Sequence, residues 1–208
     1  MGKRVQCFVI ERTGSSRYWL RRYSHGPGCS GSGYHNAHGP VVAETEDDKT
    51  KKWLCTNPPE IPKEDPRWPT KCDRCDYVFP ASDPFQVFGD PLYKRADTGE
   101  IVTWIGAPQG ALRRADWYEQ DDGSPQPGWT GADGQSWEVK LPDGVAWFID
   151  GKCSNCTRPN DPHHCWVREG TAPHFTVGKG GNTCAAGAGS ILSAGYHGFL
   201  RNGFLEEC

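Results

Sequence analysis

Two Cys-x-x-Cys turns, Cys72/Cys75 and Cys153/Cys156, constrain this 208-residue chain more than any other feature. Each turn sets two thiolates on one side of a tight loop, which is half of a tetrahedral metal site. The chain has ten cysteines and seven histidines, so partners are at hand for both. For the first turn the candidates are two of Cys29, Cys55 and His35, with Cys55 at a spacing found in zinc ribbons. For the second, Cys165 supplies a third ligand, and Cys184 or His163 the fourth. On a strand His163 and Cys165 would face the same side. A Cys165–Cys184 disulfide is the competing arrangement.

Cross-links matter here because the chain is poor in core-forming residues. Apolar residues make up 36% of it, against about 45–50% (glycine included) in ordinary globular chains. Gly (26) and Pro (17) together exceed a fifth of the sequence and favour turns and short strands over helices. Nine Trp, eight Phe and seven Tyr work the other way, because each ring buries a large apolar area. The expectation is a mostly β protein with long loops and little helix, built of small hairpin subdomains organised by the metal-binding turns. No apolar stretch reaches bilayer length, and the start lacks the apolar core of a secretory signal. A reducing compartment is therefore expected, which favours thiolate–metal sites over disulfides. We expect two zinc ions, with iron or disulfides as the alternatives.

Two apolar-aromatic runs, 3–10 and 16–23, flank Arg12-Thr13-Gly14-Ser15 and read as an opening hairpin. Residues 24–40 read as loop, and 110–120 as a short helix. Asp97-Thr98-Gly99 and Pro142-Asp143-Gly144 are hairpin turns, the second between Trp137–Leu141 and Val145–Ile149. A polar, turn-rich stretch at 121–135 suggests a boundary between subdomains 1–120 and 121–208. Two segments, His164–Gly170 and His197–Gly203, share the pattern H-x-aromatic-aliphatic-R-x-G and suggest an internal duplication.

Charge is uneven along a chain of net charge −3. Residues 1–23 carry Lys3, Arg4, Arg12, Arg17, Arg21 and Arg22 against Glu11 alone. A basic, aromatic edge of this kind suits phosphate backbones, or simply protects an exposed strand. Catalytic signatures are absent: there is no H-E-x-x-H, no deaminase pair and no Walker-type phosphate loop. Neighbouring His164 and Cys165 would point to opposite faces of a strand and cannot form a nucleophile–base pair. Structural metal sites are expected, and no enzyme.

The segment from Trp137 to Leu205, with WEVKLPDGVAWFIDGKCSNCTRPNDPHHCWVREG, TCAAGAGSI and YHGFLRNG in order, and DPRWPTKCDRCDYVF and DTGE upstream, resembles uncharacterised proteins encoded by tailed bacteriophages and prophages. That resemblance implies a virion component, synthesised in the host cytoplasm and docked on other virion proteins in multiple copies, of the capsid or the tail. It implies no reaction. Nucleic acid is the alternative partner, through the basic N-terminal segment, and no membrane association is expected.

Overall fold

The computed structural model describes residues 2–25, 29, 34–48, 55–118, 124, 126, 128–153, 156–158, 160–161, 163–179 and 189–208. Nearly all of its regular structure is β, as the Gly, Pro and aromatic content predicts. In chain order the strands are β1 (Arg4–Gln6), β2 (Phe8–His25), β3 (Tyr34–Glu46), β4 (Phe85–Arg95), β5 (Ile101–Thr103), β6 (Ala111–Arg114), β7 (Trp137–Lys140), β8 (Ala146–Phe148), β9 (Val167–Glu169), β10 (Thr176–Gly178), β11 (Ile191–Leu192), β12 (His197–Arg201) and β13 (Phe204–Glu207). No helix among the described residues is long and apolar enough to cross a membrane.

The chain divides into two compact units: Met1–Glu11 with Tyr93–Cys208, and Arg12–Leu92. This differs from the expected division at 120/121. The polar stretch 121–135 falls inside the first unit, because the strands on either side of it, β6 and β7, pair with each other.

In the first unit, β1, β13, β12 and β11 form an antiparallel sheet in that order. Phe8 and Val9 pair in parallel with Ala111 and Leu112, and β6, β7 and β8 follow as antiparallel neighbours. The β7–β8 hairpin is the predicted one: Leu141 donates to the Val145 carbonyl, and Gly144 takes a φ of 84° in the turn. Strand β6 replaces the helix expected over 110–120, leaving only a 3-10 turn at Asp116–Tyr118. So short a helix is marginal alone, whereas β6 finds partners on both edges and buries Ala111 and Leu112 completely. Leu112, Val139, Leu141, Ile149, Phe175, Ile191, Leu200 and Leu205 share one core, each no more than 1% exposed. At roughly 1.5–3 kcal/mol for each fully buried side chain of this size, that cluster is a large stabilising term.

The second unit is poorer in such residues. Its main ladder pairs β2 with β3, from Ser15↔Glu46 to His25↔Tyr34. Both partners correct sequence expectations, since residues 8–10 and 16–23 belong to one strand, with 4–6 forming the separate β1, and residues 34–40 are strand rather than loop. Gly14 adopts a φ of 83° and its carbonyl accepts from the Asp47 amide, so the Thr13-Gly14 turn signal bends the strand without reversing it. Along β2 the residues alternate. Ser16, Tyr18, Leu20 and Arg22 are buried, while Arg17, Trp19, Arg21 and Tyr23 on the other face are half-exposed. Two register shifts flank Trp19, where β3 carries Gly39-Pro40, the kind of irregularity at which a strand proline is tolerated. Inside, Arg22 donates to the carbonyls of Phe79, Pro80 and Asp83 and lies 4.0 Å over the Phe85 ring.

The two H-x-aromatic-aliphatic-R-x-G segments each end in a glycine at positive φ, Gly170 (82°) and Gly203 (76°). Their arginines sit differently: Arg168 has a buried side chain and Arg201 an exposed one.

Candidate metal centres

Residues 70–79 fold back on themselves around the first Cys-x-x-Cys turn. Phe79 donates to the Thr70 carbonyl and Cys72 to that of Tyr77, with a bridge between Lys71 and Val78. The Asp73 amide donates to the Asn36 carbonyl, which fixes this hairpin against β3 beside His35. The result is a four-donor group, Cys29, His35, Cys72 and Cys75, whose ligand atoms all lie within 4.8 Å of one another. Cys29 and Cys72 sulfurs are 3.8 Å apart, and His35 Nδ1 is 3.2 Å from the Cys75 sulfur. A zinc tetrahedron with ordinary bond lengths has sulfur–sulfur edges of about 3.8 Å and nitrogen–sulfur edges of about 3.6 Å. The donors match the first distance and come within a few tenths of an ångström of the second.

What surrounds these donors favours thiolate and imidazole ligation. The Arg74 amide approaches the Cys72 sulfur at 3.5 Å. Burial opposes ionisation of Cys72, but the Arg74 and Asn36 amides and the His35 and Cys75 side chains outweigh it and hold the thiol down at about 6. Cys29 goes the other way: burial first, then hydrogen bonding and charge from Cys72 and Cys75, push its thiol up. Three sulfurs this close cannot all ionise without a cation among them. The His35 ring is fixed by stacking on Tyr77 at 4.0 Å, and the Tyr77 hydroxyl in turn donates to Asp83. Two of the four donors, Cys29 and Cys72, form a buried cluster with Ala37 and Phe79, and Cys75 packs against it, so the site is part of the unit's interior.

The second group comprises Cys156, His163 and Cys165, again within 4.8 Å of one another. His163 Nε2 lies 3.5 Å from the Cys156 sulfur and 3.4 Å from that of Cys165. Its Nδ1 is 2.9 Å from the Asp161 carbonyl and 3.2 Å from Lys152 Nζ, so Nε2 is the ring nitrogen that faces the two sulfurs. Lys152 Nζ donates to the carbonyls of Asp161 and His163 and closes the loop around the ring. His163 and Cys165 meet, although not through strand alternation: both precede β9, and the loop turns them together. Cys153 lies outside this group but on the same turn, its carbonyl accepting from the Cys156 amide, and both cysteines pack against the core of the first unit. Cys184 lies outside the described residues.

Cys55 does not join the first group. The Ser16 hydroxyl donates to Asp47 at 2.6 Å, and the Cys55 sulfur lies 3.2 Å from the same hydroxyl oxygen. The chain around Cys55 is pinned there: the Thr56 amide donates to Asp47 and the Asn57 amide to the Tyr18 hydroxyl. His35 pairs with Ser24, at the other end of the ladder. Eight residues of strand separate Ser16 from Ser24, or about 26 Å, too far for Cys55 and His35 to share one ion. Burial instead pushes the Cys55 thiol up. Cys55→Ser is therefore expected to leave the metal content per chain unchanged, while Cys72→Ser lowers it by one ion. Elemental analysis of the two purified variants compares them directly.

Cys29, Cys55, Cys72 and Cys75 are not in disulfides. Both donor groups thus suit a thiophilic metal ion on the chemistry of their ligands. Comparisons with known protein families, with curated proteins and with solved structures find no match for this chain.

Proposed function

We propose that this protein is a structural and interaction module organised by two zinc ions, one in each unit, and that it performs no catalysis. The closed set Cys29, His35, Cys72 and Cys75 carries the reading: four protein donors at tetrahedral spacing, three of them buried. Structural zinc sites have this saturated character, whereas catalytic ones keep a position for water. Zinc accounts best for three thiolates with one imidazole, since carboxylate-preferring ions such as magnesium or calcium would not select them. In the second unit the ion takes the place of apolar side chains that the sequence does not supply.

Within this reading the module belongs to the particle of a tailed bacteriophage, where it docks on other virion proteins. The support for that placement is the likeness of residues 65–79, 97–100 and 137–205 to phage- and prophage-encoded proteins. Two measurements separate the parts of the proposal. Native mass spectrometry with elemental analysis is expected to find two zinc ions per chain, and a metal-free native protein would end the zinc reading. Mass spectrometry of purified virions is expected to detect the chain in multiple copies. Its absence from intact particles would remove the virion placement and leave the metal module standing.

A further inference from the structure

The outward face of the β2–β3 ladder carries a run of rings that the core does not need. Trp19 and Phe88 have ring centres 5.3 Å apart. The Arg21 guanidinium lies 5.4 Å from both the Phe88 and the Tyr23 ring. Tyr23 and His25 follow at 6.0 Å, and His25 and Tyr34 at 6.5 Å. Trp19, Arg21, Tyr23 and His25 are alternate residues of one strand, so they share a face over about 20 Å. None of the four is buried, Tyr34 is 39% exposed, and Val41, opposite Trp19, is 53% exposed.

The charge on this stretch has one sign. Residues 15–25 and 34–43 contain Arg17, Arg21, Arg22, His25, His35 and His38 and no acidic residue. Arg17 is engaged by Glu44, His38 by Asp73, and Arg22 by buried carbonyls. Arg21 donates through Nε to Asn36 Oδ1, and its guanidinium carbon lies between the Tyr23 and Phe88 rings, 5.4 Å from each centre.

The geometry points to a binding strip for single-stranded nucleic acid on this face, with unstacked bases lying on Trp19, Tyr23 and Phe88 and phosphates meeting Arg21 and His25. Rings accept any base by its π-face, and an arginine with no carboxylate partner among the described residues supplies the electrostatic contact. A duplex keeps its bases stacked inside and cannot use the rings. The first metal group bears on the strip without being part of it, since His35 sits in β3 next to Tyr34 and holds the end of the ladder in place. This inference is independent of the virion placement, because it needs only the folded second unit.

The test uses the full-length, metal-loaded protein and fluorescently labelled oligothymidylate and oligouridylate of about 12 nucleotides, within the range of known single-strand sites. Binding is expected at about 50 mM salt, to weaken steeply as salt rises, and to exceed binding to a duplex of equal length. The thymidylate and uridylate arms decide between DNA and RNA as the source of the strand. Trp19→Ala and Tyr23→Ala should each weaken binding by about tenfold or more. Arg21→Gln should weaken it and flatten the salt dependence. Metal content and thermal melting of each variant establish that it is folded. Lys3→Gln/Arg4→Gln, a basic pair in the other unit, should leave binding nearly unchanged. No binding at low salt, equal binding to duplex, loss with the Lys3/Arg4 pair alone, or a folded Trp19→Ala/Tyr23→Ala variant that binds normally would each overturn the assignment. Selective capture of a protein ligand by this face, with no affinity for either oligonucleotide, would overturn it too.

Discussion

Stripping both metal ions with a strong chelator is expected to unfold Arg12–Leu92 while Tyr93–Cys208 keeps most of its structure. The two units differ in what else holds them. The first buries a continuous apolar cluster from Leu112 to Leu205. The second has its metal donors inside its own small cluster, where Cys29 and Cys72 stand beside Ala37 and Phe79. Structural zinc contributes roughly 10–16 kcal/mol to folding in zinc-finger peptides, and a whole domain is typically stable by only about 5–15 kcal/mol. Losing the ion from the second unit therefore removes about as much free energy as the unit has. Empty, the site would also leave sulfurs crowded together in a region with little apolar material to collapse onto. Hydrogen–deuterium exchange resolves the units: amides of β3 should lose protection on chelation, and those of β12 and β13 should retain it. Protection of β3 that survives removal of the metal would refute this account. Cys72→Ser should reproduce the effect of the chelator in the second unit alone.

Arg168→Met is the substitution expected to damage the first unit most. The Arg168 side chain is 4% exposed, and so is that of Asp150, to which its Nε donates at 2.9 Å. Its terminal nitrogens reach Asp133 at 3.0 and 2.7 Å and the Gln135 carbonyl at 3.1 Å, and the guanidinium lies 4.6 Å from the centre of the Phe175 ring. Gly131 leaves the space for it, since a Cβ there would fall 2.0 Å from one of these nitrogens. Methionine fills the volume but leaves the Asp150 carboxylate buried with the Trp137 amide as its one remaining donor among the described residues. Breaking a buried pair in this way costs about 3–5 kcal/mol. Asp150→Asn in the Arg168→Met background should recover part of that loss, because the stranded charge is gone while an acceptor for Trp137 remains.

This pair also has a pH signature. Burial pushes the Asp150 carboxyl above the ordinary carboxylate range, against the pull of Arg168. A group whose folded pKa is raised binds its proton more tightly in the folded state, so its contribution to stability falls as pH rises through that pKa. Without Arg168 the carboxyl should move further up. The deficit of Arg168→Met relative to the parent should then be largest at neutral pH and shrink on acidification towards the carboxylate range. Denaturant melts of both proteins at matched pH values measure it. A deficit that grows in acid would contradict the assignment of Asp150 as the stranded charge.

Local features of this protein were legible from its residues. The Cys72/Cys75 turn, the Pro142-Asp143-Gly144 hairpin and the β-rich composition all act over a few residues, where backbone geometry decides the outcome. His35 was nameable beside Cys29 and Cys55 as a ligand of the first turn, but spacing favoured only Cys55. Cys55 had the better spacing and lost, because Thr56 and Asn57 are tied to Asp47 and Tyr18 at the far end of the ladder.

Composition and motif spacing set which side chains are available for ligation and how poor in apolar material the chain is. Long-range pairing settled that β2 continues past Gly14, that β3 brings His35 to Cys75, and that alternate residues from Trp19 to His25 share one face. The physical reason is range. A turn or a ligand pair at x2 spacing is settled by neighbouring dihedrals, whereas strand partners and the remaining ligands come from segments tens of residues away, chosen by whatever else those segments must satisfy.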